Sequence, residues 1–471
     1  MSARKSHPLV FGTIILTATG FLSRVIGFFY RIYLSRLFGE EGMGIYQLLN
    51  PVLSLSFALT GAGYQTAISK LVAEQTAIEK RPSFRPLAVG LSISLPLSLL
   101  CNLIVYRLAD PIALHLLQEP RTAEMLRILS FSIPLGAVHA CANGYFYGIK
   151  KAGVPAASQL LEQIVRVACV YIISAHSLST GQTPSISVAV FGLTVGEFFS
   201  MLLSLAAAWS CFAGKRAAGK DLVFSGISRL RNNPGGLYGK LLAVALPLTA
   251  NRIVLNLLQS VESVSIPAKL RIYGYDNVTS LSVYGVLTGM AMPFIFFPNA
   301  LTSSVAILLL PVISESYALG DMDAVKRSTV KTVKYCSLMG LCCMLVFVLF
   351  GRLAGTILFD SPLAGYFIMT LGFICPFLYL DTTLSSILQG LGMAGHIFAM
   401  NVICLLVRLG FVFLAVPKFG ITGYLWGLLF SQMILMALYL GCLWRFFQSN
   451  DNNRRKYNLP NSADKPRRPQ A

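Results

Sequence analysis

Between Phe21 and Gly39 the chain reads FLSRVIGFFYRIYLSRLFG, which sets Arg24, Arg31 and Arg36 among apolar neighbours. A guanidinium keeps its charge in a low dielectric and offers a planar fork of donors that fits phosphate oxygens two at a time. Such a set suits a phosphate or diphosphate better than an organic cation. On a helix Thr13, Thr17, Gly20, Arg24, Gly27, Arg31 and Ser35 step by three or four residues and share one face. A matching stripe follows in the second half, where an offset of 232 sets Leu16-Thr17-Ala18 against Leu248-Thr249-Ala250. The same spacing then gives Thr249, Arg252, Asn256, Gln259 and Ser263, with Glu262 beside them. Arg24, Arg31 and Arg252 are the candidate anion ligands. Asn50, Gln65, Asn256, Gln259, Glu262 and Asn299 are weaker candidates for a polar cavity, and each serves equally well as a hydrogen-bonding link between helices. Two arginines near a bilayer centre cost roughly 5 to 7 kcal/mol unless they meet water or a partner. The competing account pairs them with Glu162, Glu197 or Glu262 to fix helix packing. Arg36, near the helix end, can reach the headgroups.

These stripes need long apolar helices to carry them. The chain has 471 residues, 55% of them hydrophobic and 12% charged, with mean hydropathy +0.67. Its apolar residues fall in blocks long enough to cross about 30 Å of hydrocarbon as a helix. Twelve spans are predicted, at 9–34, 43–69, 87–106, 125–148, 155–176, 186–212, 241–266, 280–310, 335–351, 363–389, 396–416 and 421–444. The expected fold class is an all-α polytopic membrane protein of about twelve transmembrane helices. No small-x-small cleavage site follows the first block before Arg36, so it reads as a retained span rather than a signal peptide.

With the N-terminus on the cytoplasmic side, 25 of the 38 Lys and Arg residues lie in inside segments, and the other 13 lie outside or within spans. The positive-inside rule therefore places both ends in the cytoplasm of a plasma-membrane protein. The net charge of +19 is accounted for by these loops, and no basic groove for nucleic acid is drawn by it. All ten cysteines fall in apolar blocks, none at a metal-ligand spacing with the five scattered histidines, so neither metal nor cofactor is expected. No nucleotide-binding Gly-rich loop is present either, which leaves membrane potential, H+ or Na+ as an energy source.

An offset of 242 aligns YGIKKAGVPAASQLLEQIVRVACV, from Tyr147, with QGLGMAGHIFAMNVICLLVRLGFV, from Gln389, without a gap. It also pairs Pro134 with Pro376, Pro51 with Pro293, and Ala58-Leu59-Thr60 with Ala300-Leu301-Thr302. A shift that spans six helices preserves orientation, so the repeat is parallel. The expected architecture is two pseudo-symmetric six-helix lobes around a central cavity. The lobes are 1–213 and 241–447, with a basic cytoplasmic linker at 214–240 and a basic disordered tail at 448–471. Arg166 and Arg408 occupy equivalent repeat positions, which favours a shared architectural role. The paired prolines suit bending during alternating access, and static kinks account for them equally well.

The segments FLSRVIGFFYRIYLSRLFGEEGMGIYQ, TGAGYQTAISKLVAE and LTSSVAILLLPVISES resemble the polysaccharide-transporter branch of the multidrug/oligosaccharidyl-lipid/polysaccharide exporter superfamily. Within it they are similar to the stage V sporulation protein B-like members, relatives of the lipid II flippases. The resemblance covers residues 9 to 447. It implies two six-helix lobes around a cationic cavity, and translocation of an undecaprenyl-diphosphate-linked saccharide by alternating access. A peptidoglycan precursor such as lipid II, or another envelope polysaccharide unit, would be the substrate. The Ser-Arg-x-x-Gly motif of the flippases matches Ser23, Arg24 and Gly27, so their first-helix cavity arginine corresponds to Arg24. Two departures stand out: the flippases carry two further helices, and their eighth-helix arginine has no counterpart in SVYGVLTGMAMPFIFFPNALTSS, where Arg252 is the candidate to compensate. The expected partners are a lipid-linked oligosaccharide, membrane lipids and envelope-synthesis enzymes, with the protein itself a monomer and no nucleic acid bound. A cation-coupled multidrug exporter is the alternative, using Glu162, Glu197 or Glu262. A membrane-embedded glycosyltransferase fits less well, since the outside loops are short and their acids scattered, and no enzyme activity is expected.

Overall fold

In hydrocarbon no water satisfies backbone N–H and C=O groups, and a single segment satisfies them internally only as a helix. The computed structural model describes residues 8–79, 83–217 and 234–456, and among these every element is helical. Helix α1 (Pro8–Gln47) carries the arginine stripe and breaks at Gly39, whose φ of 68° ends one span and starts the next. That second span continues through α2 (Asn50–Phe57), a π turn at Ala58–Ala62 and α3 (Gly63–Glu79). Then come α4 (Arg85–Arg107), the short α5 (Ala109–Pro111), α6 (Thr122–Ser130), α7 (Ser132–Gly148), α8 (Gly153–Ser179) and α9 (Ser187–Ala217). The second half has α10 (Pro234–Tyr273), α11 (Asn277–Gly285), a π turn at Val286–Ala291, α12 (Met292–Phe296) and α13 (Asn299–Ala318). It ends with α14 (Met322–Phe359), α15 (Pro362–Leu371), α16 (Cys375–Gly390), α17 (Ala394–Leu414), α18 (Val416–Phe419) and α19 (Ile421–Lys456). Among the described residues eleven helices are long and apolar enough to cross a membrane, or twelve when the pair Ala18–Gln47 and Asn50–Ile78, bent by 46° at their junction, is added.

Three segments differ from the sequence expectation. The span read at 280–310 is two helical stretches, Asn277–Phe296 and Asn299–Ala318, parted at Pro298, whose missing N–H interrupts the helix. Helix α19 runs on through Lys456, nine residues into the stretch read as a disordered tail from 448, because QSNDNNRRK contains no Gly or Pro to stop it. Residues 457–471 lie outside the described residues. So do 218–233 of the basic segment 214–240, whose two ends are helical, with Pro234 at the start of α10.

By contacts the chain forms two compact units. One runs to Ala268 and takes in Asp276–Gly285; the other holds Lys269–Tyr275 and everything from Val286. The first unit therefore includes most of α10. Its core gathers Tyr64, Ile68, Val72, Cys141, Tyr145 and Phe146, with Leu241 and Ala245 of α10, and the Phe84 ring stacks on Tyr145 at 4.6 Å. The second unit packs Ile313, Val325, Leu384, Ile387, Leu388 and Tyr439. Large apolar side chains such as Trp209, Leu349 and Trp444 remain exposed, as expected where the solvent is lipid.

The repeat is visible in element boundaries within each unit. Helix α7 ends at Gly148 and α16 at Gly390, 242 residues apart. Phe131 interrupts the helix just ahead of Pro134, and a 3-10 turn at Gly372–Ile374 interrupts it just ahead of Pro376. Both breaks fall at the same repeat position.

Lipid gives no hydrophobic force between helices, so they associate by close packing over small residues. In the first unit α1 crosses α11 backbone to backbone. A Cβ on Gly44 would sit 2.0 Å from the Leu281 carbonyl oxygen, and one on Gly285 would sit 2.3 Å from that of Glu40. Beside this crossing, the loop before α6 holds Glu119, which is buried. Its carboxylate accepts from Arg121 Nε at 2.6 Å and from Asn277 Nδ2 at 2.9 Å, while Arg121 Nη2 also donates to Glu41 Oε1 at 2.6 Å. Burial pushes the Glu119 carboxyl up, but the hydrogen bonds from Arg121 and Asn277 and the Arg121 charge outweigh it and hold the group below its ordinary value.

Gly44→Val should lower the midpoint of thermal unfolding in detergent, since overpacking costs about 1–3 kcal/mol or more. Gly410→Ala, which meets nothing within 4 Å, should leave it unchanged. Because the Glu119 carboxyl is depressed, its contribution is present above the ordinary carboxylate range of about 4.3 and is lost as pH falls through its lower native value. Glu119→Gln should therefore flatten the acid limb of a melting-temperature profile.

Candidate functional site

Three helices of the first unit each turn a polar row inward. On α7 it is His139 and Asn143, on α8 Ser158, Glu162 and Arg166, and on α9 Glu197, Ser200 and Ser204, all at steps of three or four residues. Glycines on α9 allow the approach. A Cβ on Gly196 would stand 2.8 Å from the Glu162 carbonyl oxygen, and one on Gly192 3.2 Å from that of Arg166.

The side chains form one network. His139 Nδ1 lies 2.8 Å from Glu197 Oε1 and 3.2 Å from Ser200 Oγ. Its Nε2 lies 3.1 Å from Ser158 Oγ and 2.9 Å from Asn143 Nδ2, and Ser204 Oγ donates to Asn143 Oδ1 at 3.3 Å. The Asn143 amide assigned with its nitrogen toward Nε2 fits the tautomer that carries its proton on Nδ1, facing Glu197. Arg166 donates to the Glu162 carboxylate one turn back on α8. The ligand atoms of His139, Glu162 and Glu197 all lie within 4.8 Å of one another. Spacing alone would allow a metal ion, but a guanidinium bonded to one of the three donors opposes a divalent cation.

Glu162, Arg166 and Glu197 line a cavity of about 420 Å³, with Asn50, Ser54 and Ser132 among its other walls. Arg166 Nε is buried without a hydrogen-bond partner, while Nη2 donates to Glu162. Arg31 and Tyr46 of α1 stand close enough to Arg166 to act on it electrostatically.

Of the residues singled out in the sequence, Asn50 lines this cavity and donates to Gln47 Oε1. Asn256 reaches it indirectly, donating to the carbonyl oxygen of the lining residue Ser54 at 3.4 Å. Arg31 is half-buried, while Arg24, Arg252 and Gln259 are exposed. Glu262 is buried in α10. Gln65 lies where α3 meets α7, its backbone packed against Gly144. Asn299 belongs to the second unit, where its Oδ1 accepts from Thr302 at 2.5 Å and Thr382 at 3.1 Å, the helix-linking role. Thr13 and Thr17 lie where side chains are not described.

Sequence reasoning passed over His139 and Asn143 altogether and gave Arg166 a purely architectural part. Their signal was the row of polar residues at helical spacing on α7, α8 and α9. It also passed over Asp381 of α16, a buried carboxylate in the second unit whose two oxygens have no hydrogen-bond partner.

The chain is 29% identical over 430 residues to stage V sporulation protein B of Bacillus subtilis (strain 168), across 91% of this chain and 82% of that one. It is 21% identical over 378 residues to the lipid II flippase MurJ of the same organism, across 77% and 66%. Among solved structures it superposes on the inward closed conformation of lipid II flippase MurJ with a TM-score of 0.69 at 15% identity, covering 91% of this chain and 87% of that one. It superposes on an inward-facing multidrug resistance transporter of the MATE family with a TM-score of 0.70 at 15% identity, covering 94% and 99%. The fold of this multi-pass membrane protein is thus that of the MOP superfamily. With the polysaccharide biosynthesis protein model matching residues 9–317, more than half of its length, the chain belongs to that family.

Proposed function

We propose that the protein is a flippase that carries an undecaprenyl-diphosphate-linked saccharide across the plasma membrane by alternating access, both its termini being cytoplasmic. The observation that carries this reading is the set of guanidinium groups on spanning helices, with Arg166 at the cavity wall and Arg31 half-buried on α1. Arg24 and Arg31 share a face of α1 two turns apart, and Arg31 lies within electrostatic reach of Arg166, which lines the cavity. Each would bind diphosphate oxygens through charge-assisted hydrogen bonds. Asn50 and Asn256 would supply neutral donors for the sugar, and the prenyl chain would stay in lipid. Arg252, on the exposed side of α10, is the third proposed diphosphate ligand. Membership of the family and the likeness to stage V sporulation protein B and lipid II flippase MurJ support a cell-envelope saccharide as cargo. The protein would perform no covalent chemistry.

The likeness to multidrug exporters and the Glu162–Glu197 carboxylate pair favour a second reading, export of an organic cation in exchange for H+ or Na+. The two readings make opposite demands on Arg24.

Reconstituted in liposomes with a labelled undecaprenyl-diphosphate-linked saccharide, the wild type should accelerate exposure of label on the far leaflet. Loss of one charge-assisted hydrogen bond is worth about 1.5–3 kcal/mol, so Arg24→Ala should slow flipping roughly ten- to a hundredfold at limiting substrate. Equal rates for the two proteins, or no acceleration by the wild type, would count against the flippase. Undiminished export of a cationic dye by Arg24→Ala would favour the second reading.

A further inference from the structure

The network in the first unit is balanced in charge, and the balance depends on where Arg166 points. Glu162 and Arg166 of α8 and Glu197 of α9 line the cavity, His139 of α7 contacts Glu197, and Tyr30, Arg31 and Tyr46 of α1 lie within electrostatic reach of Arg166. With His139 neutral, the two carboxylates are matched by the two guanidiniums. Arg166 lines the cavity with its Nε buried and unpartnered, so an arriving phosphate that takes Nε together with Nη2 competes with Glu162 for Nη2. Engaging that edge bidentately draws the guanidinium away from Glu162. Glu162 then faces Glu197, with carboxylate atoms within 4.8 Å of each other and no cation between them. Two carboxylates at that range do not both stay ionised, and one proton settles on the pair. His139 already touches Glu197 through Nδ1 and has a second nitrogen among Ser158 and Asn143. It is placed to pass that proton or to keep it.

We propose that Arg166 is a contact for an anionic phosphate ligand in this cavity and exchanges that ligand against Glu162, so that each anion bound brings one proton onto the His139–Glu162–Glu197 group. The inference rests on the anionic cargo argued above and adds a site and a stoichiometry to it. Glu162 serves as a resident stand-in for the ligand: it satisfies Arg166 in the empty protein and gives way when the phosphate arrives. Anion and proton then bind cooperatively, and by linkage each raises the affinity for the other.

The test uses the full-length protein in detergent, with farnesyl diphosphate as the lipid-borne probe and inorganic pyrophosphate as the headgroup alone. Proton exchange is read from a pH indicator in weak buffer between pH 6 and 8. Wild type should take up about one proton per farnesyl diphosphate bound beyond what the Glu162→Gln variant takes up, the variant cancelling any titration of the ligand itself. Its apparent Kd should rise by up to about tenfold per pH unit, as linkage to one proton requires. In Glu162→Gln the affinity at pH 8 should increase and its pH dependence disappear. Arg166→Gln should lose most of the binding. Glu197→Gln is the second variant and should likewise abolish the uptake. Pyrophosphate binding with the same uptake would support the exchange and assign recognition to the headgroup; uptake with farnesyl diphosphate alone would support it for a lipid-borne ligand. Binding without extra proton uptake, or uptake unchanged in both carboxylate variants, would overturn the exchange while leaving the flippase reading intact. Failure of both diphosphates to bind would remove the flippase reading and this inference together.

Discussion

A guanidinium at the centre of a bilayer costs about 2.5 to 3.5 kcal/mol on insertion scales, and this chain carries Arg24, Arg31, Arg166 and Arg252 within the predicted spans of its first unit. Most of what is unusual in the first unit follows from accommodating them. Arg166 has Glu162 one turn away on its own helix, which removes the need for a partner from elsewhere. That pair still has to be closed off from lipid, and the glycines of α9 do so by bringing a third helix within backbone distance. The approach in turn delivers Glu197, which His139 meets from α7. Packing and polarity are thus solved together. The small residues that let the helices touch are also what concentrates the charges.

The helical architecture was legible because its cause is simple. Long apolar blocks have one stable form in lipid, and their number and limits follow from where polar residues interrupt them. The repeat was legible for a different reason. Gly148 and Gly390 end equivalent helices, and Pro134 and Pro376 follow equivalent interruptions, so the punctuation of the fold is written in residues that restrict the backbone. The end of α19 was misread because a run of Asn and Arg looks like a solvated tail by composition, while nothing in it breaks a helix. The contact-based grouping of α10 with the first unit could not be read either, since it depends on Leu241 and Ala245 meeting α3, a pairing that periodicity does not encode.

The polar clusters were legible in kind and less so in membership. Of the stripe on α1, Arg31 is half-buried within electrostatic reach of Arg166, while Arg24 is exposed. Residues such as Asn299 and Gln65 were chosen by type, but type does not say which neighbour a side chain will find. Asn299 proved to hold two threonines together. His139 was missed because a single histidine in an apolar block has no spacing signature. Its meaning comes from Glu197, 58 residues away in sequence and 2.8 Å away in space.

The interruption ahead of Pro134 has a mechanical consequence. A proline gives no N–H to the carbonyl four residues before it, so at this level the helix is missing a rung of its ladder from the moment the chain folds. The same is true ahead of Pro376. A rod creased at one height in each of its two copies is softest there, because a small change of angle at the crease breaks no further hydrogen bond. His139 lies five residues beyond the first crease and Asp381 five beyond the second. In both halves of the chain, then, a buried ionisable group sits on the stiff arm next to the joint, where a few degrees of swing become a change in its surroundings.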